Sequence, residues 1–525
     1  MNLNQFVAFL ADKKFVPQSA QRSQLAEFAN AVVAARGTIS QTDSQWLVAK
    51  LKPIARLPNR FKSALANHLL YWFTDNSSYF AAGIKASLLD GSGVEGRVAN
   101  MNALGASVFN AARGAEVVRA EFSRARYKAY YEETVGLIEK LLRDQKVFIK
   151  PSFQPNSRVV ILTQQFLQPP HAPTKDALEF AWFLSEHHGK EVMIVSSCEF
   201  SGQPSGSVLP LYLGNVLGDY ANKQTISYKD KSFRYFQPPQ GRFFAESIGQ
   251  TVATIEAFDP AMILVVGGRN LLSELFVKRA FVLFYPTTAN LPMLLKPYFF
   301  MWREPTAAEF SLLESEGTRT SYLFHQHPGF EAPIQKATLT RQSFGIPSEA
   351  FVFVVVGMRL DADVKADFLD MLEDVVCDSP AHIAFAGHFS SYQQVVASRQ
   401  NLADRCSFVG FQDDMMAVYS LSNCYLNPKR TGGGSAIVYA LAAGLPCLSC
   451  PVGDGYEAAR NLPLLPNYQA MAQTCKDLMT KPEILSRYQA LARQEAARLC
   501  SRAPLVERIE ASYKMFADQA VHESK

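Results

Sequence analysis

Cys424-Tyr425-Leu426-Asn427-Pro428-Lys429-Arg430-Thr431-Gly432-Gly433-Gly434-Ser435 passes from a short apolar run into three consecutive glycines. Cys424 to Leu426 reads as a buried strand, Ser435 to Ala443 as a helix and Pro446 to Cys450 as the next strand, so Tyr425 to Gly455 forms a strand-loop-helix unit. Three residues without a Cβ let the backbone approach a bulky anion closely. The free N–H groups and the dipole of the helix start add attraction for negative charge. Ser435 is suited to cap the helix and to donate its hydroxyl to a phosphate. Lys429 and Arg430 supply positive charge, and arginine grips phosphate in bidentate fashion. The plain alternative is a tight turn carrying two solvated basic residues. The loop has neither the Gly-Lys-Ser/Thr of a Walker motif nor a GxGxxG spacing.

Outward from this loop, strands and helices alternate. Phe351–Val356, Ile383–Gly387 and Phe408–Gly410 read as strands, with helices over 366–376 and 415–422. Before it, 159–162, 192–195 and 262–266 read as strands of an earlier unit, with a helix over 174–187. This alternation predicts two doubly wound parallel sheets. Residues 1 to about 145 show helical periodicity, with one long helix expected over 115–142 and a break at Gly91-Ser92-Gly93. The expected organisation is an α/β chain of two Rossmann-like domains behind an N-terminal all-α domain: 1–150 helical, 151–335 the first α/β domain and 336–525 the second, with terminal helices. The linker is expected near Gly329 to Pro347.

Bulk properties narrow the function. At 525 residues, 48% hydrophobic, the chain is expected to fold as several cored domains. With 52 Lys and Arg against 48 Asp and Glu, net charge is only +4, which argues against nucleic acid as a partner. Cys447 and Cys450 have a CxxC spacing but no second pair nearby, and Leu445 to Cys450 reads as a buried strand, so no metal is assigned. Scattered thiols fit a reducing compartment. Met1 to Lys14 lacks the pattern of a signal peptide, and Ala280 to Trp302 is interrupted by Lys296 and three prolines, so a cytoplasmic protein is expected, with peripheral membrane contact left open.

A second chemical feature is Gly357-Met358-Arg359-Leu360 with Lys365, at the end of the second domain's first strand, where a ligand phosphate would be reached. His388 ends another strand beside it. In the first α/β domain, Gln164-Gln165-Phe166 and His171-Ala172-Pro173-Thr174-Lys175 follow the first strand, and Gly267-Gly268-Arg269-Asn270 end a later one. These loops are expected to face an interdomain cleft, with His171 as a base or an acceptor ligand, Gln165 and Lys175 as acceptor contacts, and Gly268 touching the acceptor or the donor sugar. His325 and His327 are expected to be polar hinge residues, lacking further zinc ligands.

The order G-M-R-L…K, then F-V-G-F-Q-D-D-M-M-A-V-Y-S-L-S-N-C-Y-L-N-P, then the glycine loop and A-L-A-A-G-L-P, resembles the C-terminal half of GT-B glycosyltransferases, and among them is most similar to glycosyltransferase family 4. The likeness covers about 330–520 well, 155–330 weakly and nothing before 150. It implies a nucleoside-diphosphate-sugar donor, UDP- or GDP-linked, with no metal or other cofactor. Arg359 and Lys365 would bind the diphosphate and act catalytically. Gly357, His388, Asn427, Arg430, Thr431, Gly432, Gly433, Gly434, Ser435 and Tyr439 would line the donor site, and Gly410 to Asp413 would lie near the nucleobase. The family commonly has two glutamates eight positions apart here, the second contacting the ribose. This chain has Thr431 and Tyr439 instead, and Glu457 is a candidate substitute.

The implied activity is transfer of a hexose to a glycan, a lipid-linked glycan or a protein. The helical domain would hold a protein acceptor, a partner subunit or a second copy. The alternatives are a sugar-nucleotide epimerase of the same fold and a catalytically silent homologue that partners an active transferase, the latter favoured by Thr431 and Tyr439.

Overall fold

The computed structural model describes residues 1–17, 19–89, 93–109, 115–169, 171–200, 218–239 and 243–523. The expected break at Gly91-Ser92 lies outside these residues. The N-terminal part is all helical as far as Asp144. Its central helix, Arg60–Thr74, is buried continuously from Phe61 to Tyr71 and packs against Gln41–Ile54 and Ser77–Leu88. The single long helix expected over 115–142 is two, Ala115–Glu121 and Arg124–Asp144. Ser123 divides them, because its side chain accepts from the Arg126 N–H and caps the second helix.

The first sheet contains β1 (Arg158–Thr163), β2 (Glu191–Ser196), β3 (Thr225–Tyr228), β4 (Lys231–Phe236), β5 (Met262–Gly267), β6 (Phe281–Pro286) and β7 (Tyr298–Phe299). Their order is β3-β4-β2-β1-β5-β6-β7, parallel except for the β3–β4 pair. The second sheet contains β8 (Phe351–Gly357), β9 (Ala381–Gly387), β10 (Cys406–Gly410), β11 (Cys424–Asn427) and β12 (Cys447–Ser449), in the order β10-β9-β8-β11-β12, all parallel. β5, apolar throughout, and β9, apolar but for His382, are buried along their whole length, as strands covered on both faces must be. Strand order reverses at β1/β5 in the first sheet and at β8/β11 in the second. Crevices at the carboxyl ends of such pairs are where open α/β sheets bind ligands.

One apolar cluster runs from Val159 and Ile161 through Tyr285 to Val354 and Ile437, so the core is continuous between the sheets. The last helix, Ala503–Glu523, departs from its expected place in the second domain. It packs on the helix Ala172–His188 and on β6 of the first. Its Leu505, Val506, Ile509 and Tyr513 join that cluster, and the Phe516 ring lies edge-to-face with Phe153, centroids 5.0 Å apart, and tilted against Phe281 at 5.1 Å. Arg502 anchors the return. Fully buried, it bonds Glu179 at 2.8 Å, Asp176 at 2.5 Å and the Tyr285 hydroxyl at 3.2 Å.

Candidate functional site

At the switch point of the second sheet, β8 ends at Gly357 and β11 at Asn427, and the loops that follow meet. A Cβ on Gly432 would lie 3.6 Å from an Arg359 guanidinium nitrogen, so Arg359 lies against the glycine loop as the sequence implied. Arg359 is also 3.9 Å from Asp363. Lys365 is exposed where the helix Ala366–Val376 begins. Gly433, with φ +99°, is the residue that turns the chain into the helix Gly434–Ala442. No side chain caps this helix, so Ser435 lies in its first turn rather than at its cap. Uncapped N–H groups at a helix start are an anion-binding arrangement.

Arg430 departs from its expected role. Instead of reaching a phosphate it is buried beneath the loop, donating to Asn427 Oδ1 at 2.9 Å, to the Tyr425 hydroxyl at 2.8 Å and to Asp363 at 3.3 Å. A buried guanidinium needs this full set of partners. Asn427 is held with it, donating to Ser449 Oγ at 3.1 Å. A Cβ on Gly433 would come 2.8 Å from Arg430 Nε and 2.9 Å from Asn427 Oδ1, so this glycine is needed for packing on Arg430. Thr431 lies at the same turn, its carbonyl accepting from the Asp454 N–H at 3.0 Å.

Beside the loop, the His388 N–H donates to the Gly357 carbonyl, and its exposed imidazole stacks on Phe411, centroids 5.3 Å apart and planes at 9°. Phe411 follows Gly410 (φ +73°), and Asp413 is exposed two residues on. This edge is therefore a flat aromatic surface next to a strand end.

Across the cleft, Gln165 and His171 stand together, Gln165 Nε2 lying 3.5 Å from His171 Nε2. His171 Nδ1 is 3.2 Å from Thr174 Oγ1, and burial lowers the imidazole pKa to about 4, so it is neutral near pH 7. Gly268 is exposed at the end of β5. Lys175 and Tyr439 depart from their separate acceptor and donor roles, because they bind each other. Lys175 Nζ donates to the Tyr439 hydroxyl, lies 4.6 Å from the ring centroid, and also bonds the Glu331 carbonyl at 3.0 Å. A tyrosine is long enough to reach the first domain, and an ammonium gains from its ring face. Glu457 is likewise engaged, 3.6 Å from Arg303 of the first domain. His327 accepts from the Gly329 N–H at 3.2 Å and packs on Trp302 and Phe330 at the hinge.

Sequence reasoning missed Asp454. It is buried under the glycine loop, and its Oδ1 accepts from Ala289 N–H of the first domain at 2.8 Å. Burial, reinforced by Glu457, raises its pKa to about 7 against the opposing pull of Ala289, Arg359 and Arg430. Its signal in the sequence was the flanking Gly453 and Gly455, both pressed against the Arg430–Asn427 block. Among the described residues no group of three His, Cys, Asp or Glu is arranged to hold a metal, and no helix is long and apolar enough to cross a membrane.

No curated protein matches the chain. The solved structures that share its fold include the following two. A mutant O-GlcNAc transferase from Thermobaculum terrenum is 10% identical with a TM-score of 0.50, covering 99% of this chain and 98% of its own. A sucrose-phosphate synthase from Thermosynechococcus elongatus is 14% identical with a TM-score of 0.51, covering 69% of this chain and 99% of its own. Residues 350–481, which hold Arg359, Lys365, the glycine loop and Asp454, match the family described as glycosyl transferases group 1. The chain therefore has the GT-B fold, and residues 350–481, within its C-terminal half, are similar to glycosyl transferases of group 1.

Proposed function

We propose that the protein transfers a hexose from a UDP- or GDP-linked donor to an acceptor held against the first sheet. The observation that carries this reading is the position of Arg359 against Gly432, beside an uncapped helix start at the switch point of the second sheet. The donor diphosphate lies there, with Lys365 adding charge from the next helix. Breaking the sugar–phosphate bond builds negative charge on the departing diphosphate, and fixed positive groups and N–H dipoles stabilise it without a metal. His171, neutral near pH 7, accepts the proton of the acceptor nucleophile, with its ring oriented by Thr174. The aromatic edge of His388 and Phe411 offers the nucleobase a stacking face.

The test is incubation with a panel of sugar nucleotides while free nucleoside diphosphate is measured. Release that collapses in Arg359→Ala and Lys365→Ala supports the reading, and absence of both turnover and donor binding removes it. A second reading, a silent partner of an active transferase, is favoured by the engagement of Tyr439 with Lys175 where a donor-contacting glutamate was expected. That reading predicts nucleotide binding without turnover.

A further inference from the structure

Positive charge is concentrated in the helical part. Residues 1–89 hold ten of the chain's 52 Lys and Arg but only four of its 48 Asp and Glu, so the remaining sequence is slightly acidic although the whole is +4. Six of the ten gather at one end. Lys50 and Lys52 lie in the last turns of the helix Gln41–Ile54, Arg56 and Arg60 between it and the first turn of Arg60–Thr74, and Lys13 and Lys14 in the loop after the helix Leu3–Ala11. Hydrogen bonds hold these segments together. The buried Lys62 donates to the Asp12 carbonyl at 2.5 Å, which ties the loop to the start of Arg60–Thr74. Ser63 Oγ donates to the Ala55 carbonyl at 2.7 Å, which ties the end of the preceding helix to the same turn. All six cationic residues are exposed, and none has an ion pair among the described residues.

The four carboxylates do not offset this end. Asp43 lies in the first turn of Gln41–Ile54, about 14 Å along the axis from Lys52, and Asp75 follows the far end of Arg60–Thr74, about 22 Å from Arg60. Glu27 lies midway along the helix Ser19–Ala34, and Asp12 is turned into its own loop, accepting from the Lys14 N–H at 2.9 Å. Two apolar side chains stand beside the cations. Phe9, 47% exposed on the last turn of its helix, has its ring 5.4 Å from Phe15, and Val16 next in the loop is 62% exposed. Phe15 is itself held by Lys62, whose ammonium lies 5.1 Å from the ring centroid. Phe9 and Val16 therefore protrude next to Lys13 and Lys14 on an anchored loop. A protein partner would need a matching cavity for each protruding side chain. A bilayer needs none: the apolar groups enter the acyl boundary, while long cationic side chains keep their charge at the level of the headgroups.

We propose that this end of the helical part docks on an anionic lipid bilayer, with Phe9 and Val16 entering the headgroup layer and the six cations lying against lipid phosphates. The slightly acidic remainder of the chain turns the helical end toward such a surface. The inference stands apart from the glycosyl-transfer reading.

The test is cosedimentation of the full chain with vesicles of phosphatidylcholine alone and of phosphatidylcholine mixed with phosphatidylglycerol, at low and at physiological salt. The chain binds the anionic vesicles and not the neutral ones, and binding weakens as salt rises. Lys13→Gln combined with Lys14→Gln weakens it about 25-fold, about fivefold for each charge, and Arg56→Gln combined with Arg60→Gln does the same. Val16→Ser, at a side chain already largely in water, lowers binding to anionic vesicles without changing its dependence on salt. Because every substituted residue is exposed, melting temperatures stay at the wild-type value, which shows that the variants are folded. Absence of binding to anionic vesicles overturns the proposal, as does equal binding to neutral ones or binding indifferent to both pairs of charge substitutions. Binding indifferent to Val16→Ser overturns it too, and full competition by polyglutamate in that case identifies an acidic soluble partner. A dimer in solution that Val16→Ser dissociates identifies a second copy of the chain as the occupant and likewise overturns it.

Discussion

Lys175, in the first turn of the helix that follows β1, donates a hydrogen bond to the hydroxyl of Tyr439 on the helix that follows the glycine loop, and its ammonium lies over the same ring. The contact joins the two halves of the cleft. Charged hydrogen bonds of this kind contribute about 1.5–3 kcal/mol when partly buried. Tyr439→Phe keeps the ring face and removes the bond. A cycle with Lys175→Met, read by denaturant unfolding, is expected to give a coupling energy of about 1–2 kcal/mol. Additive effects would show that the pair contributes nothing as a pair.

Arg430 and Arg359 are expected to separate stability from binding. Arg430→Met leaves Asp363 and Asn427 short of a buried partner, and loss of one member of a buried pair costs about 3–5 kcal/mol. Its melting temperature should fall sharply. Arg359→Ala removes the 3.9 Å ion pair with Asp363, worth about 0–1 kcal/mol, and is expected to lower the melting temperature far less than Arg430→Met while donor affinity drops tenfold or more. Calorimetry with donor titration distinguishes the two, and equal destabilisation would contradict the assignment.

The alternation of strands and helices was legible because parallel strands covered on both faces must be apolar throughout, as in Met262 to Gly267. The meeting of Arg359 with the glycine loop was legible because strand-end loops at a reversal of strand order converge. Side-chain direction was not. Nothing local tells whether Arg430 turns outward to an anion or inward to Asp363, 67 positions earlier. The return of the last helix to the first sheet was equally hidden, because it depends on Arg502 meeting Asp176 and Glu179 more than 300 positions away. Ser123 was an unread cap inside a convincing helical pattern.

His68 lies in the middle of the buried helix Arg60–Thr74, with neither ring nitrogen bonded among the described residues. Burial lowers its pKa to about 4 from 6.5. Between those values the unfolded chain binds the proton and the folded one does not, so stability falls as pH falls through that window. The full shift amounts to roughly 3 kcal/mol. His68→Leu is expected to match the wild type or exceed it at pH 7 and to flatten the acid limb of the melting profile between pH 6.5 and 4. An unchanged acid limb would show that the His68 side chain does not titrate on unfolding.

Asp454 gives the opposite slope over much the same range. Its folded pKa, raised to about 7 from 3.8, means that the folded chain holds a proton which the unfolded chain releases above pH 4. Its contribution is therefore fully present below pH 4 and is lost as pH rises through about 7, by up to roughly 4 kcal/mol. Asp454→Asn keeps an oxygen to accept from Ala289 N–H and removes the charge from beneath the loop. The substitution is expected to change little below pH 4, to raise the melting temperature progressively as pH rises from 4 to 7, and to keep the full gain at pH 8.5, where the wild-type carboxylate is ionised. Because Asp454 lies buried beneath the glycine loop, its ionisation places negative charge under the proposed diphosphate site. Donor affinity in the wild type is then expected to fall between pH 6 and 8 more steeply than in the variant. Parallel pH profiles of donor affinity for the two proteins would remove Asp454 as the titrating group.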